Sequence, residues 1–262
     1  MKIIGSVKED LSLEKRISIS PETTKKFIDL NLSVFLEKNY AVHLGIDDKE
    51  YEIKGANFCN TAKEVLEKSD IILKVNCPVD NETNFIKGKS ILIGQIDTLL
   101  NKEIINKLIK KNIKIFSLNF LPRITRAQSM DVLSSQANLA GYRAVIESVE
   151  EFDKAIPMMM TAAGTITPAK ILIIGAGVAG LQAIATAKRL GGIVSATDVR
   201  AAAKEQVESL GGKFLSVESA ENLETAEGYA KEAGEEFKKK QAELLKNFIK
   251  KIDIVICTAL IP

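Results

Sequence analysis

The chain has 262 residues, 46% hydrophobic and 27% charged, which is ordinary globular usage and excludes disordered, collagen-like and coiled-coil classes. Lys plus Arg total 36 against 34 Asp plus Glu, a net charge of +2 that argues against a nucleic-acid partner, since such a partner selects a basic face. The length exceeds what one core usually sustains, so two domains are expected.

Met1–Gly5 lacks the apolar core and cleavage site of a leader peptide. The first 120 residues alternate short β-branched runs with Lys/Glu-rich helical stretches. Residues 3–7, 33–36, 71–75, 90–96 and 113–118 read as strands, and 21–29, 61–68 and 102–110 as helices. Ser20-Pro21-Glu22 is a helix start: a hydroxyl N-cap, Pro in the first turn, then an acid. This alternation predicts a mostly parallel sheet with helices on its faces.

A polar loop at 122–126 precedes a long helical segment, 129 to about 152, read as a connector with Ser129 or Asp131 as its N-cap. The alternation then sharpens: strand 171–174, helix 181–190, strand 193–197, helix 201–210, strand 213–217. Residues 218–235 lose regularity before a helix at 235–250 and a strand at 254–257. The predicted division is an N-terminal α/β domain (1–125), a connector loop and long helix (126–160), and a nucleotide-binding domain (161–262).

Gly175-Ala176-Gly177-Val178-Ala179-Gly180 matches G-x-G-x-x-G between an apolar strand and a helix. Asp198 ends the next strand, 18 residues beyond Gly180, near the spacing of the dinucleotide fingerprint. The glycines serve a tight turn, close approach to pyrophosphate, and close helix–strand packing, while the helix N-terminus favours the phosphate charge. A carboxylate at Asp198 accepts a ribose diol and repels a 2′-phosphate, so NAD is preferred; Arg200 is expected beside or over the adenine.

Three of the six Arg fall within 122–143: Arg123, Arg126 and Arg143, beside Gln128, Asp131, Ser134 and Asn138. This stretch strongly resembles the NAD(H)-binding domain I, the alpha subunit, of proton-translocating NAD(P) transhydrogenases in the alanine dehydrogenase/PNT superfamily. Residues 157–165, 176–191, 196–200, 228–232 and 258–262 look like the same family. The likeness is looser before 120, where Lys8-Glu9, Glu14-Lys15-Arg16 and Ser20-Pro21 match a start shared with alanine dehydrogenases.

The resemblance implies a fold: a Rossmann-type doubly wound sheet, truncated at its C-terminus, plus a flavodoxin-like N-terminal α/β domain, the two flanking a cleft. It also implies roles. Arg123, Gln128, Asp131 and Ser134 would serve the nicotinamide and the hydride step, with Arg123 paired to Asp131 and Gln128 reaching towards the partner's nucleotide. Ile124, Thr125 and Arg126 would line the same cofactor, NAD(H). Gly175, Gly177, Val178 and Gly180 would bind the pyrophosphate, and Asp198, Val199 and Arg200 the adenosine end. Gly228 and Tyr229 would sit on a closing loop, with Gln241 and Leu260 in the pocket.

The implied activity is Si/Re-specific hydride transfer between NAD(H) here and NADP(H) on a partner, coupled to proton translocation and silent without that partner. The implied partners are the NADP(H)-binding domain or beta subunit, a membrane domain and a second copy of this chain. The implied location is peripheral, on the cytoplasmic face of the inner membrane, without membrane insertion by this chain. No metal is expected. The alternatives are a self-sufficient alanine-type dehydrogenase and a non-enzymatic NAD-responsive module.

Against the first stands a missing histidine: the sole His, His43, precedes the region where that family's proton shuttle belongs, and 91–100 contain none. His43 itself is read as a loop residue without a role. Arg16 and Lys74 resemble that family's substrate-binding bases and are read as inherited structure, with ion pairing as the plainer account. Cys59, Cys77 and Cys257 are too scattered for a disulfide framework or zinc site and read as reduced thiols, with Cys257 in the core. Met158–Met160 are expected to pack at a domain junction. Family members continue past Pro262, so 254–257 is expected to be an exposed apolar edge that leaves this length less stable than a longer one.

Overall fold

The computed structural model describes residues 1–122, 124–216 and 234–259, the side chains of 235–238 excepted. Expectations that fall on Arg123, Gly228, Tyr229 and Leu260 lie outside the described residues. The chain divides into two compact units, Met1–Met130 and the remainder from Asp131.

The first unit runs β1 (Ile3–Ser6), α1 (Pro21–Asp29), β2 (Ser33–Glu37), α2 (Asp48–Ile53), β3 (Asn57–Cys59), α3 (Ala62–Lys68), β4 (Ile71–Leu73), α4 (Asp80–Phe85), β5 (Ile91–Gly94), α5 (Lys102–Lys110) and β6 (Lys114–Ser117). All its strands pair in parallel, in the order β3-β2-β1-β4-β5-β6. Without β3 this is the flavodoxin order; the short edge strand β3 extends it to the order 3-2-1-4-5-6. Strand alternation feeds a core on each face: Val34 and Leu36 join Tyr40 and Tyr51 on one, while Phe35 and Ile72 join Leu66 and Leu92 on the other.

Local chemistry sets the boundaries. Ser20 Oγ accepts the Thr23 N–H, and Thr23 Oγ1 accepts the Ser20 N–H at 2.7 Å, closing a reciprocal cap on α1. Lys111 Nζ donates to the carbonyls of Thr83 and Asn84 at 2.7 Å each, satisfying the carboxyl end of α4. His43 lies in a 3-10 turn, Val42–Leu44, and its Nε2 is 2.8 Å from the Lys15 carbonyl oxygen.

Beyond β4, Lys74 is nearly fully buried, with Nζ 2.9 Å from both Glu82 carboxylate oxygens and 3.4 Å from Glu9. Arg16 forks onto Glu14 at 2.8 Å and 2.6 Å and reaches Gln95. Both bases are thus occupied by carboxylates of their own chain. Burial pushes the Glu9 carboxyl above its ordinary value, outweighing the Lys74 charge.

The second unit contains α6 (Val132–Glu150), β7 (Met159–Thr161), β8 (Gly164–Ile166), β9 (Lys170–Ile174), α7 (Val178–Arg189), β10 (Ile193–Thr197), α8 (Ala203–Ser209), β11 (Lys213–Phe214), α9 (Glu235–Ile249) and β12 (Ile254–Cys257). Its parallel sheet has the order β11-β10-β9-β12. The middle strand β9 buries Ile171, Leu172 and Ile173 in succession, as a strand covered on both faces must. The long helix α6 packs on α7 within this unit and buries Val145 in its core.

Two packing expectations are corrected. Cys257 is exposed, because β12 lies at the sheet edge with Ile254 and Ile256 inward and Val255 and Cys257 outward. Met158–Met160 are exposed too, Met160 at 72%; they enter the antiparallel hairpin β7–β8, whose side chains face solvent. No helix among the described residues is long and apolar enough to cross a membrane.

Replacing Lys74 by Met strands Glu9 and Glu82 without their shared cation, at a cost of about 3–5 kcal/mol near pH 7. A carboxyl whose folded pKa exceeds its unfolded one loses stability as pH rises past the unfolded value. The deficit of Lys74→Met relative to the parent should therefore shrink as pH falls past about 4.3, below which both states bind the proton. Urea denaturation across that range checks this, and a deficit independent of pH would contradict it.

Candidate dinucleotide site

The site is built where β9 meets α7. Gly175 follows the strand with φ +95°, a left-handed conformation that side chains resist, and a Cβ there would stand 2.8 Å from the Ala259 nitrogen. Its N–H donates to the Thr197 carbonyl at 2.9 Å, tying the turn to the next strand. Gly177 is the N-cap of α7 and offers no capping side chain to the helix's first N–H groups. A Cβ built on Gly177 meets no atom of the described residues within 4 Å, so among them the backbone here faces open space. That is what a phosphate approaching unpaired amide groups requires. Gly180 is the reverse case, since its Cβ would stand 1.8 Å from the Gly175 carbonyl oxygen.

Asp198 follows β10, with its side chain only 8% exposed. Its Oδ2 accepts the Ala176 N–H of the glycine turn at 2.7 Å and Arg200 Nη2 at 3.0 Å. Oδ1 accepts the Arg200 N–H and Nε, both at 2.9 Å. Burial pushes this carboxyl upward, but the Arg200 guanidinium and the two backbone N–H groups outweigh it and hold it below the ordinary value. The sequence alone sets Arg200 beside the adenine; here its guanidinium is turned onto Asp198. Val199 lies between them, half-buried.

Thr258, just past β12, donates from Oγ1 to the Gly175 carbonyl at 2.9 Å, and its N–H bonds the Ile174 carbonyl at 2.8 Å. The family likeness over 258–262 includes this residue without implying a role for it. A hydroxyl directly after a strand predicted to flank the turn is the signal that could have found it.

At the start of α6, Asp131 is the N-cap: its Oδ1 accepts the Ser134 N–H at 2.9 Å and its Oδ2 the Ser134 hydroxyl at 2.6 Å. Asn138 Nδ2 donates to Gln182 Oε1 of α7 at 3.1 Å. A shallow groove beside them is lined by Asn138, Val178, Leu181, Gln182, Gln206 and Leu210.

Among the predicted site residues, the turn glycines, Val178, Asp198, Val199 and Arg200 gather around one turn, and Asp131 and Ser134 bond each other. Ile124, Thr125, Arg126 and Gln128 lie exposed on or beside the 3-10 turn Thr125–Met130 of the first unit, anchored by buried Ala127. Gln241 is half-buried on α9. No cluster of metal-ligating side chains occurs among the described residues.

A parallel α/β sheet with a glycine turn at one strand end and an acid at the next defines the class: a Rossmann-type dinucleotide-binding architecture. Comparison with known proteins narrows this. The alanine dehydrogenase/PNT N-terminal domain matches residues 5–140, and the alanine dehydrogenase/PNT C-terminal domain matches residues 144–262. The chain belongs to the alanine dehydrogenase/PNT family, among the NAD(P) transhydrogenase alpha subunits.

It is 51% identical to the first of the polypeptides that make up NAD(P) transhydrogenase subunit alpha in Rhodospirillum rubrum, over 99% of this chain and 69% of that protein. The Rickettsia prowazekii protein of the same name is 48% identical, over 100% and 69%. The crystal structure of transhydrogenase from Sinorhizobium meliloti superposes with a TM-score of 0.86 at 46% identity, covering 100% of this chain and 70% of that one.

Because the folded Asp198 carboxyl sits below its unfolded value, its stabilisation is present above the unfolded value and lost as pH falls through the folded one. Asp198→Asn, which keeps the shape but removes the charge facing three donor groups, should destabilise the second unit by about 1–3 kcal/mol at pH 7. The gap to the parent should close only below the ordinary carboxylate range. Thermal unfolding from pH 7 to pH 3 measures it, and equal midpoints at pH 7 would contradict it.

Proposed function

We propose that this chain binds NAD(H) through its second unit and exchanges hydride with NADP(H) held by a partner component of a proton-translocating transhydrogenase. The observation that carries this reading is the pairing of an open Gly177 N-cap with the Asp198 carboxylate bonded to the same turn. The kinship to transhydrogenase alpha subunits supports the partner and the coupling.

The residues fit the cofactor. The amide groups at Gly177, Val178 and Ala179 hold the pyrophosphate, since among the described residues no side chain caps this helix start. Asp198 accepts the adenosine diol. A carboxylate offers about four acceptor positions, and the described bonds already fill that number. Two of the donors are backbone and fixed; the two guanidinium bonds are those that can yield. Arg200 therefore turns aside as the diol arrives and becomes available to the adenine edge.

The dihydronicotinamide supplies the hydride itself. Transfer between two nicotinamide rings moves no proton to substrate, so the protein's task is to hold the two ring carbons at about 3–3.5 Å. Hydroxyl, amide and carboxylate groups such as Ser134, Gln128 and Asp131 suit that task, with Arg123 completing the set, and no proton shuttle is needed. The membrane-facing location, the pairing of two copies and silence without the partner belong to the same reading.

An alanine-type activity is disfavoured by the first unit. Lys74 and Arg16, the bases that would bind a carboxylate substrate, are already neutralised by Glu82, Glu9 and Glu14.

The test mixes this chain with a purified NADP(H)-binding component and follows hydride exchange from NADH to an NADP analogue. Exchange should require both proteins, and Asp198→Ala should weaken NADH binding about 10–100-fold, the worth of a charge-assisted pair. NADH oxidation by the isolated chain with pyruvate and ammonium, or NADH binding with no exchange when the partner is added, would overturn the reading.

A further inference from the structure

Helix α6 carries a buried glycine, Gly141, in its interior, at a backbone conformation any residue adopts. Its reason lies across the interface with α7. A Cβ at Gly141 would stand 2.0 Å from the Ala179 carbonyl oxygen and 2.7 Å from its carbon. The two helices therefore meet backbone to backbone. The obstacle is main chain, which cannot step aside as a flexible side chain could.

The contact falls in the first turn of α7, the turn that Gly180 seats on the Gly175 carbonyl. α6, the first turn of α7 and the dinucleotide turn thus form three layers, with a glycine at each contact. The helices also run in the same direction. Near their starts, Asn138 and Val178 line one groove, and Asn138 bonds Gln182. Past their ends, Pro157 lies against Gly191, where an added Cβ would come within 2.7 Å. The stretch from Asp131 to Gly141 spans about 15 Å of helix, so the amino end of α6, bearing Asp131 and Ser134, projects beyond the start of α7.

We propose that Gly141 is a positioning residue for hydride transfer: by letting α6 rest on the α7 backbone, it fixes the Asp131–Ser134 end over the dinucleotide turn. The proposal rests on the nicotinamide lying at that end, as in the function proposed above. Gly141 touches neither cofactor nor reacting atoms. A side chain there lifts or tilts α6, and the displacement is carried along the helix to the groups at its tip.

The experiment compares the parent chain with Gly141→Ala, each with the NADP(H)-binding component. ADP probes the glycine turn and Asp198 alone, whereas NADH also probes the nicotinamide end. ADP affinity should stay within about twofold, while kcat for exchange falls about tenfold or more, since a misplacement near 1 Å can cost about 100-fold. Unchanged kcat, or equal losses of ADP affinity and of kcat, would overturn the proposal, the latter because damage to the fold moves both.

Should Gly141→Ala lack a cooperative unfolding transition, Asn138→Ala decides, because it removes only the side-chain tie to Gln182. Kcat should fall about three- to tenfold with ADP binding preserved; no change in kcat would overturn the proposal. A parent chain that neither binds NADH nor exchanges hydride refutes the functional reading instead.

Discussion

The second unit depends on one steric constraint, the seating of the α7 backbone on the glycine turn. The Gly180 position leaves no room for even a methyl group between helix and turn. That seating sets the first amide groups of α7 at the end of β9, where Gly177 leaves the approach open. The same turn presents the Ala176 N–H to Asp198, so the acid at the end of β10 is oriented by the element that would bind the phosphates. Thr258 closes the arrangement from β12 through the Gly175 carbonyl. Three neighbouring strands thus converge on one turn, and the site's precision is backbone precision rather than a matter of side-chain rotamers.

The first unit shows the opposite arrangement. Its charged groups beyond the strand ends are turned inward on one another: Lys74 between two carboxylates, Arg16 forked onto Glu14. A basic pair left open would be a substrate-acid site, whereas a basic pair closed by its own acids is a structural joint. Burial pushes Glu9 upward, so this joint is held against a desolvation penalty, which the shared cation and the Val75 N–H partly offset. The contrast with the second unit is chemical: there Asp198 is held below its ordinary value by two backbone N–H groups and the Arg200 guanidinium.

Much of this is legible in the sequence because long, periodic elements dominate. Helix α1 follows from Ser20 and Pro21, and strand β10 from the β-branched Ile193, Val194 and Thr197 directly after a glycine pair. The G-x-G-x-x-G turn and the acid after β10 are legible because each glycine answers a local requirement and the spacing is fixed by one βαβ unit. What escapes is short or depends on neighbours. β3 has three residues and α2 six, too few to display a period, although Asp47 with Glu50 three residues later is a capping box that could have exposed α2. The outward turn of Cys257 and the methionines is set by sheet order and by a tight hairpin, neither of which composition reports.

Gly141 shows why the remaining part is hard to read. A glycine inside a helix costs about 0.5–1 kcal/mol relative to alanine, so on propensity alone it reads as a weak point in an otherwise strong helix. Its justification sits far along the chain, in the carbonyl of Ala179, and exists only once the two helices have packed. Spacing along the chain can suggest that a glycine bends or ends an element; it does not show which main chain lies opposite. The positions that a single sequence explains least are therefore those where backbone meets backbone, and in this unit two such contacts, at Gly141 and Gly180, lie on either side of one helical turn. A structure that uses two glycines to compress that turn gives up helix propensity in exchange for fixed distance, which is the quantity hydride transfer between two bound rings would depend on.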